Sequence, residues 1–206
     1  RCIQRFNETE PKYGYSQSLF PIVQGCVYPD LRKQSAEYIA SKDADGNAIG
    51  GLAVGEETED MYRIIDAVEP NMPQNKPRYL MGVGTPVNIL EAVHRGIDFF
   101  DCVMPSRNAR HGHLFTSQGI INIANLKYRD DFSPIDEACD CPVCQKYSRA
   151  YLRHLLKSGE MLGMRFAVMH NLYFYNRLMA DIRCALEEDR FETFYEQKRE
   201  IYGRRI

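Results

Sequence analysis

Four apolar runs recur along the first half of the chain, and an amphipathic or mixed stretch follows each of the first three. The runs cover residues 19–25, 48–55, 78–84 and 97–103. They are continuous rather than alternating, the pattern of strands buried on both faces. Between them the polar and apolar positions repeat at helical spacing over 31–41, 58–68 and from Thr85-Pro86 to before Gly96. Asp30, after Pro29, is the expected N-cap of the first of these helices, Pro70 stops the second, and proline opens the third. Strand and helix therefore alternate at roughly 25–30 residues, the length of βαβ units.

After the fourth run the pattern changes. Short β-like pieces appear at 113–116 and 120–123. Helices are expected over 142–157, closed by Ser158-Gly159, over 160 to about 187, and over 190–202. Residues 1–17 read as loop with a helical remnant. Four parallel strands cannot close an eight-stranded barrel. They form either an open sheet or the second half of a barrel. The abrupt start at Arg1-Cys2-Ile3 favours the second and suggests a fragment of a longer protein. The fold class expected is α/β, the C-terminal half of a (β/α)8 TIM barrel. Residues 1–103 would supply strands 5–8, and 104–206 an appended subdomain with C-terminal helices.

Composition adds boundaries. A net charge of −2 gives no global basic signature for nucleic acid, so any such contact must be a local patch. No apolar run is long enough to span a bilayer, so no membrane partner is expected. Seven cysteines, an odd number with three tightly clustered, argue for a metal site in a reducing compartment; cytoplasm is the expected location. No Gly-x-Gly-x-x-Gly follows the first strand, which weakens a dinucleotide-binding reading.

Cys139-x-Cys141-x-x-Cys144 is the strongest chemical signal. Three thiolates and one imidazole make a closed tetrahedral zinc site, which is structural rather than catalytic. Spacing alone leaves the histidine open among His170, His154, His111 and His113. Asp101 ends the fourth run, at what would be the active rim of a parallel barrel. A carboxylate there can be a base, a metal ligand or a nucleophile, and a turn cap is an equal reading from position alone. Ser106, Arg107, Asn108 and Arg110 follow it, suited to phosphate contacts or simply to a solvated loop. Gly50-Gly51 and Gly82-x-Gly84 permit close backbone approach to a flat ligand or plain tight turns. Met81 can pack on a ring or fill a core.

Taken together these residues resemble the bacterial tRNA-guanine transglycosylase (queuine tRNA-ribosyltransferase) family. The resemblance rests on Val23-Gln24-Gly25, Gly50-Gly51-Leu52-Ala53-Val54-Gly55-Glu56, Tyr79-Leu80-Met81-Gly82-Val83-Gly84, the run from Asp98 to Arg107, the cysteine cluster and His170-Asn171-Leu172. It covers essentially the whole chain and about the C-terminal half of the family's length. It implies a barrel with an inserted zinc-binding subdomain and exchange of guanine at the tRNA wobble position for a deazaguanine base (preQ1). Asp101 would be the covalent nucleophile. Gln24, Gly50, Gly51, Leu52, Val54 and Met81 would form the base pocket. Gly82, Val83, Gly84, Thr85, Pro86, Val87 and Asn88, with Ser106, Arg107, Asn108, Ala109 and Arg110, would lie along the RNA. Cys139, Cys141, Cys144 and His170 would hold one structural zinc. Val54 would favour the small aminomethyl precursor over the larger queuine, and the protein would pair as a homodimer.

The general acid/base and the stacking aromatic of the family have no counterpart here, so the fragment alone is expected to be inactive. The alternatives are a non-catalytic zinc-bearing tRNA-binding or dimerisation module of the same family, and the archaeal branch, which usually carries further RNA-binding domains.

Overall fold

The computed structural model describes residues 1–206, which divide into two compact units. One comprises Arg1–Gly84 with Glu91–Cys102, the other Thr85–Leu90 with Val103–Ile206.

In chain order the first segment gives α1 (Cys2–Glu8), β1 (Ile22–Val23), α2 (Pro29–Ala40), β2 (Asn47–Ile49), α3 (Thr58–Val68), β3 (Arg78–Leu80), α4 (Pro86–His94) and β4 (Phe99–Phe100). The four strands form one parallel sheet in sequential order. Register aligns Val23 with Ile49 and Ile49 with Leu80. These three are fully buried and share a core with Ala36 of α2 and Ile64, Ile65 and Val68 of α3. Complete burial of each such side chain stabilises by about 1.5–3 kcal/mol.

The opposite face carries Ile22, Ala48, Tyr79 and Phe99, also in register. Ile22 and Phe99 remain 39% and 38% exposed. Parallel sheets normally bury both faces, so this unit presents one covered and one partly open apolar face.

The strands are shorter than the sequence suggests. Each ladder stops where a glycine turns the chain: Gly25 (φ +145°), Gly51 (φ +67°) and Gly82 (φ +74°) hold backbone conformations that other residues avoid. The N-cap of α2 is Tyr28 and not Asp30, because Pro29 takes the first helical position. Asp30 falls within the first turn, where its charge meets the positive end of the helix dipole. Asp98 is structural, as its Oδ2 accepts the Arg78 N–H at 2.6 Å.

The second unit contains α5 (Met104–Arg110), an antiparallel hairpin of β5 (His113–Thr116) and β6 (Gly119–Asn122), then α6 (Arg149–Lys157), α7 (Met161–Glu187) and α8 (Phe191–Gly203). Residues 106–110, read as a loop, are helical; Pro105 sits in the first turn. The helix expected over 142–157 begins only at Arg149. Residues 142–148 turn around the cysteines instead, and Ser148 Oγ caps α6 by accepting from Tyr151 N. Gly163 lets α7 meet α6 closely, since a Cβ there would lie 2.9 Å from that of Leu155. The core gathers Leu114, Ile121, Ile135, Leu152, Phe166 and Ala167. No helix is long and apolar enough to cross a membrane.

Candidate functional site

Asp101 follows β4 directly and is exposed. The Tyr79 hydroxyl donates to its Oδ1 at 2.5 Å, and the Gly82 N–H donates to the same oxygen at 2.8 Å. Both donors come from β3 and its exit, which the parallel register Leu80 opposite Phe100 sets beside the end of β4. The Tyr79 ring is fixed in turn by stacking on Phe99 at 4.8 Å. The Tyr79 bond, then the Gly82 N–H, holds the Asp101 carboxyl below its ordinary range. The same contact pushes the Tyr79 phenol up to about 12. Asp101 is therefore an ionised carboxylate at neutral pH. Both donors bind Oδ1, which leaves Oδ2 for a reacting atom.

The residues expected to hold a base lie at the exits of the first three strands. A Cβ on Gly50 would stand 2.9 Å from Gln24 Nε2 and 3.3 Å from Met81 Sδ; one on Gly51 would stand 2.8 Å from Gln24 Oε1. Any side chain at these two glycines would collide with the Gln24 amide, so the glycines leave room for it to lie over the turn. Leu52 turns its side chain into the core, which leaves its main-chain groups for other contacts. Val54 is 81% exposed, and its N–H donates to Glu56 Oε2 at 2.9 Å.

Arg32 lies beneath this turn, 0% exposed. It donates to Gly50 O at 2.7 Å, Val23 O at 2.9 Å, Cys26 O at 2.7 Å and Gly51 O at 3.1 Å. Neither Arg32 nor the Tyr79 hydroxyl stands out in the sequence as a site residue. The available signals were an arginine amid the helical pattern of α2 and a tyrosine two residues before the Met81-Gly82 exit.

The remaining candidates separate by role. Thr85 and Asn88 bond reciprocally at the start of α4: Thr85 N and Oγ1 donate to Asn88 Oδ1, and Asn88 N donates to Thr85 Oγ1. That is a capping arrangement with Pro86 at the first helical position. Val83, Gly84 and Pro86 are buried. In α5 Arg107 and Arg110 are exposed three positions apart, on one helical face. Ala109 is fully buried, so its side chain serves packing.

In the second unit the four expected ligands converge. Cys139, Cys141, Cys144 and His170 place their ligand atoms within 4.8 Å of one another. His170 Nδ1 stands 3.9, 3.6 and 3.4 Å from the three sulfurs in that order. A nitrogen and a sulfur bound to one tetrahedral ion at usual bond lengths are about 3.6 Å apart, so the set fits a single metal ion. His170 Nε2 pairs with Phe115 O at 2.8 Å. That carbonyl requires the proton on Nε2 and turns the Nδ1 lone pair toward the sulfurs. The thiols cannot ionise independently. Bonds from Cys139 and Cys144 pull Cys141 far down, and bonds with Cys139 and Cys141 push Cys144 far up. A divalent cation would hold all three as thiolates.

Asn171, next along α7, ties the same helix to its surroundings. It accepts from Phe115 N at 3.1 Å and donates to Pro105 O and His113 O, both at 3.0 Å.

A sequence model of the queuine tRNA-ribosyltransferase family matches residues 1–204. Curated relatives bearing that name include those of Clostridium acetobutylicum, 61% identical over 201 residues, and Clostridium tetani, 59% identical over 201 residues. In each case the alignment covers 96% of this chain and 54% of the relative. A relative of the same name from Lachnospira eligens is 59% identical over 200 residues, 96% of this chain and 53% of its own. The chain thus spans about half the length of the curated relatives it matches.

Proposed function

This chain belongs to the queuine tRNA-ribosyltransferase family, and on that premise we propose that it supplies the nucleophile, part of the base pocket and the zinc subdomain of a tRNA-guanine transglycosylase. The observation that carries this reading is the Asp101 carboxylate, ionised and anchored through one oxygen by Tyr79 and Gly82.

Asp101 Oδ2 forms a bond to C1′ of the wobble ribose while the C1′–N9 bond breaks. The electron pair leaves with guanine, which takes up one proton. The incoming deazaguanine, preQ1, gives up a proton, attacks C1′ from the vacated side and releases the carboxylate. Two displacements keep the configuration at C1′ and split one hard substitution into two easier ones. Gln24, Gly50, Gly51, Leu52 and Met81 hold the base, with Val54 shaping the pocket's back. Residues 82–88 and the Arg107/Arg110 face of α5 lie along the anticodon loop, whose target base is flipped out of its stack.

The partly open sheet face with Ile22, Tyr79 and Phe99 supports the half-barrel reading, in which residues 1–103 give strands 5–8 and the family's N-terminal half covers that face. Residues 104–206 form the zinc subdomain with its C-terminal helices. Cys139, Cys141, Cys144 and His170 would hold one Zn2+, which with four protein ligands would supply folding free energy rather than chemistry. The whole protein works as a cytoplasmic homodimer. A purely scaffolding module has no need for a carboxylate at the exit of β4 that is held through Oδ1 alone, with Oδ2 left free.

Exchange of radiolabelled guanine into tRNA tests the proposal. A full-length protein carrying this sequence is expected to exchange it and residues 1–206 alone are not. No exchange by the full-length protein would refute the activity.

A further inference from the structure

Arg32 is a buried cation without an ion pair: all four of its bonds go to main-chain carbonyls. Burying a guanidinium costs free energy unless something repays it. A turn of this kind could be satisfied by water at the strand ends, so a fixed charge here calls for a further role. The four carbonyls belong to the exits of β1 and β2, the two loops that carry Gln24 and Gly50-Gly51. Ser35, one turn further along α2, takes the Gln24 N–H at 3.1 Å, so one face of α2 fixes both the main chain of Gln24 and the turn beneath its amide.

In a trans peptide the N–H points opposite to the C=O. With Gly50 O and Gly51 O both turned onto Arg32, the N–H groups of Gly51 and Leu52 face away from it. Neither has an acceptor within the protein. Successive N–H groups beside a left-handed residue, here Gly51 at φ +67°, form an anion-binding nest.

We propose that Arg32 is a positioning residue for the leaving base: it holds the Gly51 and Leu52 N–H groups as a cradle for the exocyclic carbonyl oxygen of a purine. This rests on the base-exchange reading and extends it. When Asp101 bonds to C1′ and the C1′–N9 bond breaks, the electron pair departs with the purine. Part of that charge sits on the exocyclic oxygen until the ring takes a proton from the general acid that the resemblance assigns to the family's N-terminal half. Donors fixed in advance and backed by a buried cation stabilise that charge without reorganising.

The test compares guanine with 2-aminopurine, which lacks the carbonyl, as competitors of exchange in the full-length protein. Wild type is set against Arg32→Met and Arg32→Lys. Arg32→Met is expected to weaken guanine roughly tenfold to a hundredfold, the cost of losing well-placed donors, and to leave 2-aminopurine unchanged. Arg32→Lys, which keeps the charge, is expected to lose guanine affinity by a smaller factor, again without change for 2-aminopurine. Should Arg32→Met not fold, the lysine variant decides on the same criterion. Equal weakening of both bases, or no weakening of guanine, overturns the inference and leaves the base pocket standing. A wild-type protein that does not bind guanine overturns the base pocket itself, and the inference with it.

Discussion

The Tyr79 hydroxyl donates to Asp101 Oδ1 at 2.5 Å across 22 positions of sequence. This bond is the first cause of the lowered Asp101 pKa, so removing it raises that pKa. Activity that depends on ionised Asp101 is present above its pKa and is lost as pH falls through it. In Tyr79→Phe the acid limb of the kcat/KM profile should therefore move to higher pH, with a loss of about tenfold at neutral pH, the worth of one charge-assisted hydrogen bond. An unmoved acid limb would mean that Tyr79 only packs on Phe99.

The metal site yields a stoichiometry. His170→Ala removes the nitrogen that Phe115 O orients, and Cys144→Ser removes a buried sulfur. Metal content should fall from one zinc per chain to near zero in both variants. Chelation of the wild type should expose 139–170 to proteolysis, because ligand binding and local folding are coupled. Full zinc occupancy in His170→Ala would reassign the fourth ligand.

Asn171 carries a separate structural load. Replacing it by leucine leaves Phe115 N, Pro105 O and His113 O without this partner. Each buried polar group left unpaired costs about 1–3 kcal/mol, so Asn171→Leu should destabilise the protein by about 3–5 kcal/mol. Chemical denaturation of the zinc-loaded protein measures it; a change under about 1 kcal/mol would show that water replaces the amide.

How much of this was legible follows from the range of each interaction. The alternation of apolar runs and amphipathic helices gave the parallel order of β1 to β4, since each signal is local. The three cysteines were legible because free thiols rarely cluster so closely. Spacing alone left their histidine open among His111, His113, His154 and His170, and only the family resemblance pointed to His170, because what selects it is the tertiary fold. The Arg107–Arg110 helix was hidden by Pro105, which reads as a loop residue until it is seen in a first turn. The 142–148 stretch looked helical, but its backbone turns around Cys141 and Cys144 instead. Arg32 and Tyr79 act through partners 6 to 22 residues away, and only the strand register brings those partners together.

The family resemblance assigns the base preference to Val54. A branched side chain excludes a bulky substituent, and pocket discrimination of this kind is worth roughly 10–200-fold. Wild type should favour the aminomethyl precursor over queuine, and Val54→Gly should raise queuine exchange by about tenfold or more. Equal kcat/KM for the two bases in the wild type would remove Val54 from the pocket.

The nucleophile can be weighed directly. Full-length protein incubated with its tRNA and no incoming base should show a covalent adduct in denaturing intact-mass analysis, at the summed mass of protein and tRNA less one guanine. Asp101→Asn should bind tRNA with nearly unchanged affinity and give no adduct. An adduct that persists in Asp101→Asn would place the nucleophile elsewhere and contradict the role assigned to Asp101.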